Sequence, residues 1–280
     1  MQDNTTPTLK FTNVQDLFDA INNSRGDFLT VTDIDLEQVS EINREREQRR
    51  SKIRFRRYDV DTRILFITIP NLLHERLHLQ LYRQYIAHLV RNDLGEAWAE
   101  IGPTTLRQQG APRGSGGEGD SAGGPDPERS GLNSWPTLVI EAGDSETLQE
   151  LHRDMEWWFL ASNHDVKIVL LVKFNHQQQQ ILIERWEEEL LVQGPMTRAR
   201  HAAILQQGGS FQPVKRQEIF IARDETTDPP SYNVVRDPLR LEFRLLFLRH
   251  PIPPEADVVI SIQGLQRFAR KVWAAVPEQD

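Results

Sequence analysis

The chain has 280 residues, of which 38% are hydrophobic and 26% charged, enough to bury one substantial core or at most two small domains. It contains no cysteine, which excludes disulfides, thiolate zinc sites and cysteine nucleophiles, and no apolar run approaches the ~20 residues of a membrane span. Its formal net charge of −8 disfavours attraction to polyphosphates, so a nucleic-acid partner would require a local basic surface or metal ions.

Residues 1–57 are predicted to form a peripheral cap. The first residues, MQDNTTPTLKF, lack the basic and apolar regions of a signal peptide, so we expect an intracellular protein of the cytoplasm or nucleus. The cap ends in the one dense basic cluster, residues 43–57, NREREQRRSKIRFRR. Two interpretations of this cluster are open: a solvated helix face with i,i+4 ion pairs, or a patch that contacts phosphate.

Residues 58–192 are predicted to form the core. Residues 58–69 alternate into an apolar run typical of a strand, which Pro70 ends, and the segment from Asn71 to Asn92 has apolar residues at the spacing of a long helix. Glu75 lies near the start of that helix. It is either an exposed acid that interacts favourably with the helix dipole or a site residue.

A glycine-rich stretch, residues 108–134, follows within the core. It has few apolar residues and many Gly, Pro, Ser and Asp, so it cannot bury enough area to offset its ordering entropy. We expect a flexible loop insertion here. The loop contains the pair Pro125-Asp126.

The clearest pattern is a β-α-β unit from Thr137 to Phe174. A short β-branched strand leads to Glu141, and Gly143 ends it; Asp144 or Ser145 is expected to cap the helix that follows. The apolar stripe of this helix predicts that Trp158 is buried and that its neighbour Trp157 is more exposed. Residues 166–172 are apolar on both faces, which is typical of a central strand.

Residues 193–280 are predicted to form a C-terminal β/α extension that packs on the core and ends in an amphipathic helix. The overall fold class expected is α/β (α+β), with a mixed central β-sheet flanked by helices. No Walker A motif, GxSxG elbow or dinucleotide fingerprint is present, which argues against the enzyme classes that use them.

What remains is a set of carboxylates on separate elements: Asp126, Glu141 and Glu75. Two acids brought together by such elements can hold Mg²⁺, which prefers oxygen ligands and can activate water. The chemistry implied is metal-assisted hydrolysis of phosphodiesters.

These segments, Pro125-Asp126, WPTLVIEAG, SETLQELHRDMEWW and DVKIVLLV, resemble the restriction-endonuclease-like PD-(D/E)xK superfamily, in particular fungal proteins related to bacterial Uma-type endonucleases. The resemblance covers roughly residues 58–174. It implies a restriction-endonuclease-like core that binds Mg²⁺, or Mn²⁺, and acts on DNA or RNA. Asp126 and Glu141 match the two motif acids, and Glu75 matches an acid of the first helix.

The lysine of that family, two positions after the second acid, is Gly143 here. Lys167 on the next strand is the nearest substitute, Arg153 is a weaker one, and Pro136-Thr137 could be the PD position with its Asp lost. Two hypotheses follow: a Mg²⁺-dependent nuclease with catalytic Asp126, Glu141 and Lys167, or a catalytically inactive relative that serves as a binding or structural module.

Overall fold

The computed structural model describes residues 7–102, 104–109, 114–131, 133–191 and 211–276. Its helices are α1 (Val14–Asn23), α2 (Leu36–Gln48), α3 (Leu72–Arg91), α4 (Leu148–Ala161), α5 (Phe243–Leu246) and α6 (Ile262–Trp273). Its strands are β1 (Thr8–Lys10), β2 (Phe28–Thr32), β3 (Arg54–Asp59), β4 (Ile64–Thr68), β5 (Trp98–Ile101), β6 (Leu106–Arg107), β7 (Gly116–Gly117), β8 (Ser121–Pro125), β9 (Leu138–Gly143), β10 (Ile168–Asn175), β11 (Gln180–Leu190), β12 (Phe211–Asp224), β13 (Ser231–Val235), β14 (Leu239–Leu241) and β15 (Val258–Ile260). None of the described helices combines the length and apolar character that a bilayer crossing requires.

The larger sheet has seven strands in the order β13-β12-β11-β10-β9-β8-β5. Strands β9 and β10 are parallel, with Ile168 opposite Leu138, and the other neighbours are antiparallel. Helices α3 and α6 pack on one face, and α4 packs on the other. Because both faces are covered, every residue of β9 is buried. The predicted fold class, a mixed sheet flanked by helices, is confirmed.

The smaller sheet has six strands in the order β1-β2-β4-β3-β7-β6, and α1 and α2 cover its apolar side. The segment that was predicted as one strand, residues 58–69, contains the end of β3, a turn and the whole of β4. Strands β3 and β4 pair as an antiparallel hairpin. The boundary expected between residues 57 and 58 falls inside β3. The basic cluster is not one helix face: α2 ends at Gln48, and Arg56 on β3 is 2% exposed.

The predicted β-α-β unit is confirmed, with a different helix start. Thr147, not Asp144 or Ser145, is the N-cap of α4, and Glu150 completes a capping box with it. The amides of Asp144 and Ser145 donate instead to Asp27.

The exposures of the two tryptophans follow the prediction from the apolar stripe. Trp158 is 1% exposed against the sheet, and Trp157 is half-buried.

The glycine-rich stretch was expected to be a flexible loop, and this prediction is wrong for residues 115–125, which contain β7 and β8 and are largely buried, whereas residues 126–131 follow as a mostly exposed turn. Its glycines serve close packing. A Cβ at Gly123 would lie 2.6 Å from Tyr82 Oη and would clash with Trp98 Nε1. Low apolar content therefore reflects backbone approach to aromatic rings rather than solvent exposure.

Candidate functional site

The candidate site lies where β8 begins and β9 ends. Ser121 is opposite Ile140 in the antiparallel pair, which places Asp120 next to Glu141. The Oδ2 atom of Asp120 accepts a hydrogen bond from the Ala142 amide at 2.9 Å. The N-terminal turns of α3 and the strand β3 contribute further side chains, and Asp27, Glu146 and helix α4 supply the others.

Glu141 is a fully buried acid, as its position at the end of an apolar strand suggested. Trp158 Nε1 donates a hydrogen bond to it at 2.5 Å, and the Arg56 guanidinium lies 3.3 Å from its other oxygen. Burial raises the pKa of Glu141 well above its ordinary value, and the nearby Arg56 does not offset this effect.

Arg56 is surrounded by three acids. Besides Glu141, its guanidinium lies 2.6 Å from Glu146 and 2.6 Å from Asp154, although neither contact has the alignment of a hydrogen bond. The carbonyl of Ala142 also accepts from it at 3.3 Å. Arg56 is thus the positive charge nearest to three buried carboxyl groups, and Arg57 lies 3.5 Å from one of them, Asp154.

Asp120 contacts residues of three different elements, α3, β3 and β9. Its Oδ1 atom accepts from Arg54 at 2.9 Å and lies 3.1 Å from His74 Nε2. Although burial alone would raise the pKa of this carboxyl, the charge and hydrogen bond of His74 hold it well below its usual range.

Glu75 is the acid that reaches solvent, with a side chain 30% exposed. Arg54 donates to its Oε1 atom at 2.7 Å, so one guanidinium joins Glu75 to Asp120. Burial opposes ionisation, but the hydrogen bond from His78 and the charge of Arg54 lower the pKa of Glu75 to about 2.

Two buried histidines flank Glu75 on α3. His74 Nδ1 lies 2.9 Å from Asp27, and the carboxylates of Asp120 and Asp27 outweigh burial and raise the pKa of His74 to about 10. His78 Nδ1 lies 2.8 Å from Ser121 Oγ, and burial lowers the pKa of this imidazole. Neither histidine was predicted as a site residue, although the segment reads HERLH and matches the HExxH pattern of helical metal sites.

Asp126 and Lys167 lie at the opposite end of the sheet. Asp126 is exposed and comes just after β8. The register of β8 with β9 places it opposite a position six residues before Glu141, which is a distance of roughly 20 Å from Glu141 along the strand. Lys167 is level with Thr137, roughly 13 Å from Glu141, and its Nζ donates to the His164 carbonyl. The structure thus brings Glu75 and Glu141 to one region and leaves Asp126 and Lys167 outside it.

Lys173 is the lysine that lies beside the vacant motif position. It is directly opposite Gly143 in the parallel pair, and residues in register point to the same side of a sheet. Its Nζ donates to the carbonyls of Asp144 and Phe174 at 2.6 Å. The strand register, which the sequence does not specify, decides between Lys173 and Lys167.

A cleft of about 660 Å³ opens beside Glu75. Its lining includes four cations, Arg46, Arg50, Lys52 and Arg54, against three acids, Glu47, Glu75 and Glu118. Arg46 and Arg54 are paired with acids, whereas Arg50 and Lys52 form no ion pair within the described part of the chain. The cleft therefore has exposed, unpaired cations, Arg50 and Lys52, at its rim, and its acids range from the exposed Glu47 to the buried Glu118.

The two possible ion positions differ in fit. Glu141 has no solvent contact and is in contact with Trp158 and Arg56, which leaves no space for a hydrated Mg²⁺. His74, His78 and Asp120 each offer one donor atom, and these atoms lie within 4.8 Å of one another.

No protein-family model matches the chain, and no curated protein matches its sequence. Among solved structures, it is similar to a protein from Anabaena variabilis described as a candidate nuclease belonging to DUF820. The two share 9% identity with a TM-score of 0.36, over 60% of this chain and 92% of the other. A similarity of this size does not assign an activity to the chain.

Proposed function

We propose that the protein is a nuclease-like hydrolase of the PD-(D/E)xK type that acts on DNA or RNA with a divalent metal ion. Asp120 takes the role that the sequence pattern gave to Asp126, and Glu75 keeps its predicted role as an acid of the metal site. The absence of cysteine fits action inside the cell, in the cytoplasm or nucleus.

The observation that supports this proposal is the position of Glu75 in the lining of the cleft, together with its link through Arg54 to the buried Asp120. Arg54 contacts both acids, so the two carboxylates are close enough to share a cation. Arg50 and Lys52 provide free charge for the phosphate backbone of a substrate. A divalent ion would lower the pKa of a bound water and offset charge on the phosphoryl group.

The contacts of Glu141 support a structural role for this acid in place of its predicted metal role. Its side chain faces Arg56 and Trp158, and it has no solvent contact. Lys173 is the stronger candidate for the missing lysine, because it lies opposite Gly143.

A second function, a catalytically inactive binding module, is favoured by the ion pairs of Arg54 and Arg56. These arginines contact every acid at the junction of β8 and β9, and a guanidinium can replace a metal ion as the counter-charge. In that case the cleft would bind nucleic acid without cleaving it.

The test is a cleavage assay on single- and double-stranded DNA and RNA with a panel of divalent ions. Asp120→Asn should abolish cleavage, whereas Asp126→Asn, the matched change at the opposite end of the sheet, should not. Cleavage that survives Asp120→Asn but not Asp126→Asn would contradict the proposal. Binding of nucleic acid by a folded wild-type protein that cleaves with none of the ions would establish the binding module instead.

A further inference from the structure

The segment HERLH places two histidines on one face of α3, because residues four apart on a helix are neighbours. His74 and His78 are both buried and both face the start of β8. There Asp120 offers a carboxylate oxygen 3.1 Å from His74 Nε2. Donor atoms that share a zinc ion lie roughly 3.3 Å apart, so this contact has the spacing of two ligands as well as that of a hydrogen bond.

Each imidazole is oriented by a second partner on its other nitrogen. Asp27 is 2.9 Å from His74 Nδ1, and the hydroxyl of Ser121 is 2.8 Å from His78 Nδ1. Such partners are typical of metal-binding histidines, since they fix the ring and leave Nε2 to face the ion.

The fixed charges around the histidines leave a deficit of positive charge. Asp27, Asp120 and Glu75 are three carboxylates, and Arg54 is the one permanent cation among the described residues that contacts any of them. Once a bound ion has displaced the proton of His74, two of these negative charges have no other counter-charge among the contacts described. Glu75 lies between the histidines in sequence and lines the cleft, which gives the cluster its contact with solvent.

We propose that His74, His78 and Asp120 form a site for a transition-metal ion of the Zn²⁺ class, with Glu75 at its open, cleft-facing side. Two imidazoles and one carboxylate suit Zn²⁺, Co²⁺ or Mn²⁺, whereas Mg²⁺ and Ca²⁺ prefer ligand sets made of oxygen alone. In this site the ion replaces the hydrogen bond between His74 and Asp120. The inference rests on the proposed function only in its use of Asp120 and Glu75, because the ion can bind whether or not the protein cleaves nucleic acid.

The test is a titration of the whole protein with Zn²⁺, Co²⁺ and Mg²⁺, followed by calorimetry and, for Co²⁺, by visible absorption. We expect one Zn²⁺ or Co²⁺ per chain and much weaker Mg²⁺ binding. His78→Gln should weaken Zn²⁺ binding at least about 100-fold, and Asp27→Asn about 10–100-fold. His88→Gln, a change on the same helix but away from the cluster, should leave it unchanged.

The wild-type protein gives a readout that does not depend on how the variants fold. X-ray absorption of its zinc complex should show nitrogen and oxygen ligands with the scattering of two imidazoles. Absence of Zn²⁺ binding, an ion without imidazole ligands, or full affinity in folded His78→Gln would overturn the inference. Zinc binding without cleavage would support the metal site and contradict the proposed nuclease function. Mg²⁺-dependent cleavage that His78→Gln leaves unaffected would support the nuclease function and contradict the metal site.

Discussion

At the residue scale, the buried arginines on β3 are the counter-charges that contact the acids of the site. Arg54 contacts Glu75 and Asp120, and Arg56 contacts Glu141 together with two acids from the following turn and helix. Two acids at this junction are strongly shifted in opposite directions: the pKa of Asp120 is lowered and that of Glu141 is raised. The difference follows from His74, which lowers the pKa of Asp120 against burial, and from burial and the neighbouring acids Asp120 and Asp154, which raise the pKa of Glu141.

Arg56→Met should lower the free energy of unfolding by about 3–5 kcal/mol, because removal of one partner leaves buried acids without a counter-charge. Arg57→Met is the matched control. Arg57 is less buried and lies 3.5 Å from Asp154, so its loss should cost no more than about 1 kcal/mol. Denaturant unfolding of both variants measures the difference, and equal losses would show that Arg56 is not the counter-ion of the cluster.

Glu141→Gln should stabilise the protein increasingly as pH rises. An acid whose folded pKa is raised keeps a proton that the unfolded chain releases, so wild-type stability falls as pH increases above about 4.3. Glutamine has no proton to lose, and the gap between variant and wild type should widen between about pH 5 and pH 8. Denaturant unfolding of both proteins at several pH values measures this difference in stability.

Glu184→Gln should change the free energy of unfolding in the opposite direction to Glu141→Gln. Burial opposes its ionisation, but hydrogen bonds from His152 and Lys215 lower the pKa of Glu184 to about 2. The loss of this carboxylate should therefore destabilise the protein at neutral pH, and the loss should fade as pH falls through that value. Similar pH profiles for both variants would contradict the assigned directions.

Little of this residue-level arrangement can be predicted from sequence. Glu141 could be recognised, because an acid at the end of an apolar strand requires compensation. Arg56 could not, since its acids lie some 85 to 100 residues further along and a basic cluster is ordinarily solvated. His74 and His78 carried a readable signal, the HExxH spacing of residues 74–78, in which Glu75 is the acid of the pattern.

At the element scale, β8 is the strand that cannot be recognised from its amino-acid composition. Four of its five residues are small, and periodicity assigns no strand to such a segment. The β-α-β unit was predictable because β-branched runs and an apolar helix stripe are local signals. The pairing of β8 with β9 is not local, and this pairing alone places Asp120, rather than Asp126, beside Glu141.

Gly123→Ala should destabilise the protein by about 1–3 kcal/mol, because the added methyl group would overpack the contact with Tyr82 and Trp98. Gly102→Ala is the control, since a Cβ at that position meets no atom within 4 Å. Thermal unfolding compares the two. A neutral effect of Gly123→Ala would mean that β8 does not approach the aromatic side chains of α3 and β5.

At the scale of the whole molecule, charge is distributed against its overall sign. The net charge is −8, yet the cleft beside Glu75 has free cations at its rim. Long-range repulsion should weaken encounter with a polyanion, and the local cations should determine where it binds. Any affinity for nucleic acid is therefore expected to depend strongly on salt.

The double change Arg50→Glu and Lys52→Glu should weaken nucleic-acid binding and flatten its dependence on salt by about one unit of log–log slope for each lost phosphate contact. The double change Arg270→Glu and Lys271→Glu, at exposed positions of α6, alters net charge by the same amount without changing the cleft and should have a much smaller effect. Fluorescence anisotropy over a range of salt concentrations distinguishes them. Equal effects would assign the affinity to net charge rather than to the cleft.

The position of Arg56 also matters while the chain is being synthesised. This arginine leaves the ribosome about 100 residues before Asp154, the last of its three acids, which corresponds to about 5 to 20 s of translation. During that interval the strand that carries it has no buried counter-charge to join. The N-terminal sheet therefore cannot complete its packing as the first part of the nascent chain, and a ribosome stalled before α4 should display it in a protease-sensitive form.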